Sequence, residues 1–185
     1  MSTVEVAAQA AIVTTFAVSV WGKVRSRWEY AEFRDSLPGN LGIPRRLAGP
    51  VAATVVTAEA LAALVLAVGA LGLGAVAWVP ALVLLTALTI ALGRMIRRGV
   101  RASCRCFGRA DRPPGRLHLV RNGLLLLIAV GGAAVATGTP AAVWGSGAFV
   151  AAAAGSVGAL VLVSLEDLVA LARPLRVGGQ CMEKS

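Results

Sequence analysis

The sequence predicts an all-α membrane protein, a polytopic helical bundle of about five transmembrane helices in a single domain spanning residues 1–185. Three observations lead there. First, 57% of the 185 residues are hydrophobic, only 15% are charged, and the mean hydropathy is +0.78. Soluble domains carry about a quarter charged residues. This composition excludes a disordered tail, a collagen-like chain and an ordinary soluble enzyme. Second, the 18 basic residues fall into three blocks, at 23–46, 94–121 and 173–184, and the stretches between them contain none. Third, a spanning helix takes roughly 20 apolar residues. The first basic-free stretch fits one span and each of the other two fits a pair.

The spans follow in order at about 4–22, 48–68, 75–96, 118–137 and 145–167. Gly69 to Gly74 breaks the second basic-free stretch and Thr137-Gly138-Thr139-Pro140 breaks the third, because Gly and Pro punctuate helices. With five spans, all three basic blocks share one face. The positive-inside rule makes that face cytoplasmic, with the N-terminus outside and the C-terminus inside. Trp21 and Trp28 are expected in an inner aromatic belt, Trp78 and Trp144 in an outer one. No cleavable signal peptide is expected, since the first span lacks a basic segment before it. The preference for Arg over Lys, with abundant Ala, Gly and Val, suggests a GC-rich bacterial genome.

Between the first two spans, segment 26–44 is partly polar. Tyr30, Phe33 and Leu37 share a helical face there, which predicts a short amphipathic helix in the inner interface, ended by Pro38-Gly39-Asn40. On the fifth span Gly147, Ala151, Gly155 and Ala159 recur every four residues, a spacing that lets helices approach closely within the bundle or across a dimer. Residues 174–185 read as a flexible tail.

The sharpest chemical feature is Cys104-Arg105-Cys106-Phe107-Gly108 in the largest cytoplasmic loop. The thiolate is the reactive form, and the cations of Arg101, Arg105 and Arg109 favour it. A Cys-x-Cys disulfide closes a very small, strained and easily reduced ring. Two incidental loop cysteines are the plain alternative. Cys181 follows Gly178 and Gly179 in the tail, within range of a relaying role, although a spare thiol is the simpler reading. Cys104, Cys106, His118 and Cys181 map to one face and could together hold zinc or copper, but the one-residue spacing is shorter than a zinc knuckle's, and no metal is favoured.

Glu59 lies near the middle of the second span, where an ionised carboxylate is costly. It serves either as a proton relay or headgroup partner, or as an interhelical hydrogen bond to Thr57, Thr86 or Asn122. Arg121 and Asn122 enter the fourth span by one turn. Arg121 can snorkel to the inner surface or hold Glu166 or Asp167 at the end of the fifth span. No P-loop, Ser/His/Asp set, HExxH or acidic metal cluster is present. Basic loops beside a membrane favour anionic lipid over nucleic acid as a partner.

These residues resemble the MauE family of methylamine utilisation proteins, within the broader DoxX-like redox-associated membrane proteins. The resemblance covers roughly residues 10–135. It rests on Gly22-Lys23-Val24 after the first span, the aromatic segment to Phe33, and Leu41-Gly42-Ile43-Pro44. It continues through Glu59, Arg98-Gly99, the Cys104–Gly108 motif and Arg121-Asn122. The family's loop more often reads Cys-Gly-Cys-Phe-Gly, so Arg105 is a departure. The resemblance implies a DoxX-type bundle, reminiscent of quinone-linked disulfide-forming membrane enzymes. It also implies a role in maturing a disulfide-rich dehydrogenase subunit beside a thioredoxin-like partner. By position, Cys104 and Cys106 are its redox pair, while Glu59, Arg121 and Asn122 match recurrent polar positions that would tune the pair or relay protons. The expected activity is thiol–disulfide exchange with a thioredoxin-like protein or a quinone. A non-catalytic scaffold or assembly factor, with the bundle as a partner or homo-oligomer surface, is the alternative.

Overall fold

A computed structural model describes residues 2–69, 73–98, 116–138 and 146–172, with side chains for all of these except 116, 146 and 165–172. Six α-helices account for most of it: α1 (Thr3–Val24), α2 (Arg27–Leu41), α3 (Arg45–Gly69), α4 (Val79–Arg97), α5 (Arg116–Gly138) and α6 (Ser146–Ala172). A 3₁₀ turn, Gly74–Trp78, leads into α4. The described residues contain no strand. All helices but α2 contribute a stretch long and apolar enough to cross a membrane: Thr3–Val24, Arg45–Gly69, Gly74–Arg97, Leu117–Gly138 and Gly147–Ser164. In hydrocarbon every backbone polar group must be met within the protein, and helices meet that demand internally.

The bundle is apolar outside and polar within. Leu61, Leu64, Val83, Ile90, Leu127 and Phe149 point outward and are exposed, whereas Gln9, Ser19, Lys23, Glu59, Arg121 and Asn122 are buried. A water-soluble fold distributes these residue types the other way. Here the exposed side chains face lipid, and the costly polar groups turn toward one another.

Helix α1 is the central element, packing on α2, α3, α5 and α6. The main core joins Ile12 and Phe16 of α1 to Leu66 of α3, Leu85 of α4 and Leu125 of α5, with Trp78 in its midst. Trp78 therefore does not belong to an outer aromatic belt. It is 2% exposed, because its ring lies on α5 where Gly132 has no side chain. Trp21 and Trp28 do face outward, and Trp144 lies outside the described residues.

Helix α2 is capped by Ser26, whose hydroxyl accepts from the Glu29 N–H at 3.1 Å. Its inner face, Phe33 and Leu37, packs against Ala52 of α3. The helix does not stop at Pro38. A proline in the last turn removes one N–H without breaking the turns before it, and α2 runs on to Leu41. Gly42 then ends it in the left-handed conformation at φ 69°, donating its N–H to the Pro38 carbonyl at 2.9 Å. That extra turn carries Asn40 inward, where it is 2% exposed. On the outer side of α2, Arg34 Nε donates to Asp35 at 2.8 Å, which holds the Asp35 carboxyl below its usual range.

The small-residue stripe of α6 belongs to the bundle. Gly155 lies directly on the backbone of Ala7, and Thr14 of α1 donates to Ser156 at 3.1 Å. Contact between α6 and α5 is slight by comparison.

Gly132→Ala should destabilise the bundle by about 1–3 kcal/mol, the usual effect of overpacking, because the new methyl overlaps the rigid Trp78 ring. Gly123→Ala, with open space around it, should leave thermal unfolding in detergent unchanged. Equal melting temperatures for the two variants would contradict this packing.

Candidate functional site

Two buried polar groupings lie side by side between α1, α2, α3, α4 and α5. The first is an ion pair. Helices α1 and α3 run antiparallel, bringing Ser19 level with Glu59, and Gln9, nearer the other end, donates to the Leu66 carbonyl. Lys23 is one turn beyond Ser19 on the same face of α1. Helical side chains lean toward the N-terminus, so the Lys23 amine reaches back to the Ser19 level. It donates to Glu59 Oε1 at 2.8 Å, to Glu59 Oε2 at 2.7 Å and to Ser19 Oγ at 2.6 Å. An ammonium has three protons for donation. Ser19 in turn donates to Glu59 Oε2 at 3.1 Å. Lys23 is 2% exposed and Glu59 0%.

The Lys23 amine also sits 5.3 Å from the centre of the Phe33 ring, within the range of a cation–π contact. One lysine thus ties α1 to α3 through charge and to α2 through a ring. Glu59 does meet an interhelical partner, but the partners are Lys23 and Ser19 rather than Thr57, Thr86 or Asn122. Lys23 had been counted among the cations of the inner surface. The signal that singles it out is its four-residue spacing from Ser19 in a series of buried polar side chains on α1: Glu5, Gln9, Thr15, Ser19 and Lys23.

The second grouping lines a cavity of about 60 Å³ bounded by α2, α3, α4 and α5. Asn40, His118, Arg121 and Asn122 supply its polar side, and Leu88, Leu92 and Met95 are among its apolar walls. Arg121 is 3% exposed, so its side chain stays within the bundle rather than snorkelling to the surface. The side chains of Glu166 and Asp167 lie outside the described residues. Phe33 lines this cavity as well as facing Lys23, and so stands between the two groupings. Sequence reasoning assigned Asn40 to a helix end. Only the continuation of α2 past Pro38 brings it inside.

Cys104, Cys106 and Cys181 lie outside the described residues. Cys104 follows Arg98, the cap of α4, by six residues in sequence, and Cys106 precedes Arg116, the start of α5, by ten. His118, the other residue of the metal alternative, is at the cavity. Among the described residues no group of His, Cys, Asp and Glu is arranged to hold a metal ion.

The fold and this buried polar interior define a multi-pass membrane helical bundle. The methylamine utilisation protein MauE family matches residues 1–136, which is α1 to nearly the end of α5, and the chain belongs to that family of methylamine-utilisation-associated membrane proteins. No curated protein and no solved structure gives a significant match.

Lys23→Met should cost about 3–5 kcal/mol, because it leaves the Glu59 carboxylate buried without its cation. Adding Glu59→Leu to that variant should restore most of the loss. Unfolding in detergent and membrane abundance check both, and a double variant as unstable as the single one would contradict the pairing.

Proposed function

We propose that this chain is a thiol–disulfide redox protein of the cell membrane, with Cys104 and Cys106 as the exchanging pair. The observation that carries the reading is the Cys104-Arg105-Cys106 motif, placed in sequence between two helices whose adjoining ends line a small, mainly apolar cavity beside the buried Arg121 and Asn122. Neighbouring arginines favour the thiolate form of both cysteines. Membership of the MauE family supports a link to methylamine utilisation, and by resemblance the partner is a thioredoxin-like protein whose disulfide chemistry serves maturation of another enzyme.

The exchange balances as follows. The Cys104 thiolate attacks one sulfur of the partner's disulfide, forming a mixed disulfide and releasing the partner's other sulfur as a thiolate. The Cys106 thiolate then attacks Cys104 Sγ, closing the Cys104–Cys106 disulfide and freeing the partner's second thiolate. Two electrons pass to the partner, and the protons lost from the two cysteines balance those its thiolates take up. The reverse sequence oxidises the partner. Arg121, Asn122 and Glu59 support the pair indirectly: Glu59 by fixing α1, α2 and α3 around the cavity, Arg121 and Asn122 by lining it. The basic blocks support a cytoplasmic location for the cysteines, with the N-terminus outside.

Cys106→Ser should trap a mixed disulfide between Cys104 and a partner, resolved on non-reducing gels after acid quenching of cells. The Cys104→Ser/Cys106→Ser variant should show none and should lose growth on methylamine. Full growth of the double variant, with the partner's redox state unchanged, would leave the bundle a scaffold without thiol chemistry.

A further inference from the structure

A groove of about 500 Å³ opens between the second half of α2 and the start of α3. Arg34 and Asp35 line it from α2, and Arg45, Arg46, Gly49 and Pro50 from α3. Its lining is predominantly polar, unlike that of the small cavity beside Arg121. Three guanidinium groups share it with one carboxylate. Arg34 Nε donates to Asp35 at 2.8 Å. Arg45 acts on the same carboxylate more weakly, and with Arg34 holds it below its usual range. Among the described residues neither Arg45 nor Arg46 makes a side-chain hydrogen bond or ion pair of its own. The groove therefore keeps a surplus of positive charge.

Its depth in the bundle restricts what fills it. Arg45 and Arg46 are the last basic residues before the stretch 47–93, which contains none, so they mark where α3 enters the bilayer. Trp21 in the last turn of α1 and Trp28 in the first turn of α2 are exposed at this same end, as interfacial tryptophans are. The abundant groups at that depth are lipid headgroups, and anionic lipids bring phosphate oxygens to basic pockets. A guanidinium fork matches two such oxygens at once. Just inside the arginines, Leu47 and Pro50 are exposed and offer apolar surface to the glycerol and first methylenes of a lipid. A choline headgroup carries its own cation, which the arginines repel. A glycerol headgroup carries none.

We propose that this groove binds one anionic phospholipid, its phosphate held by Arg45 and Arg46 beside Arg34 and its chains running down the apolar start of α3. The site stands on α2 and α3 and does not depend on the thiol reading above.

The test follows lipid retention by native mass spectrometry of the full chain in detergent, with phosphatidylglycerol or phosphatidylcholine of identical acyl chains. The wild type should retain one phosphatidylglycerol in preference to phosphatidylcholine. Arg45→Gln/Arg46→Gln should weaken that retention by roughly thirtyfold, about fivefold for each arginine. Both side chains are exposed, so the melting temperature should hold. Gly49→Leu keeps every charge and, with open space around Gly49, puts a side chain into the groove; it should also release the lipid. Arg94→Gln/Arg97→Gln removes the same charge from α4, outside the groove, and should leave the lipid bound. Equal retention of the two lipids would overturn the proposal, as would equal loss from the groove and α4 double variants, the mark of diffuse surface charge. Displacement of the lipid by an equal concentration of glycerol 3-phosphate would also overturn it and assign the groove to a free phosphate.

Discussion

The Lys23–Glu59 ion pair is the constraint from which the arrangement of the first three helices follows. In a membrane interior neither charge has water to turn to, so each holds the other in place. The pair fixes α1 against α3 at the Ser19 level, and the Phe33 ring over the Lys23 amine brings α2 onto the same point. With α2 drawn in, Leu37 packs on α3 and Asn40 turns inward toward α4 and α5. The cavity beside Asn40, Arg121 and Asn122 thus adjoins the ion pair, with the Phe33 ring lining the one and facing the other.

Around this interior the packing is governed by size rather than polarity. Lipid is as apolar as leucine, so helices gain by close fit and by small residues that permit it. Gly132 receives the Trp78 ring, and Gly155 lets α6 rest on the backbone of α1. Helix α6 lies beyond the region matched by the family and shares little contact with α5. It packs mainly on α1, and its exposed Phe149, Val150 and Val161 face lipid.

The helical bundle was legible from hydropathy and from the clustering of basic residues, because both signals arise from the membrane itself. So was the unusual status of Glu59, Arg121 and Asn122, which are costly side chains inside apolar segments and are all buried. The partners were less legible. Lys23 stands near Arg25 and Arg27 in sequence and counts with them in any tally of charge, yet its helical phase turns it inward with Ser19. Asn40 follows a proline and a glycine, residues that ordinarily stop a helix, but Gly42 ends α2 instead. Trp78 occupies a belt position in sequence and a core position in space, since burial depends on the gap left by Gly132 on a helix some fifty residues later. Each of these rests on tertiary contact that local pattern does not encode.

The proposed function joins this buried polar interior to the Cys104-Arg105-Cys106 motif, which lies between α4 and α5 in sequence. Its most direct test is thiol labelling with a membrane-impermeant, mass-tagged maleimide, in intact and in opened cells, with and without prior reduction. The account predicts that Cys104 and Cys106 are tagged only in opened cells, and more fully after reduction. Tagging in intact cells would reverse the orientation, and equal tagging with and without reduction would contradict a disulfide-forming pair.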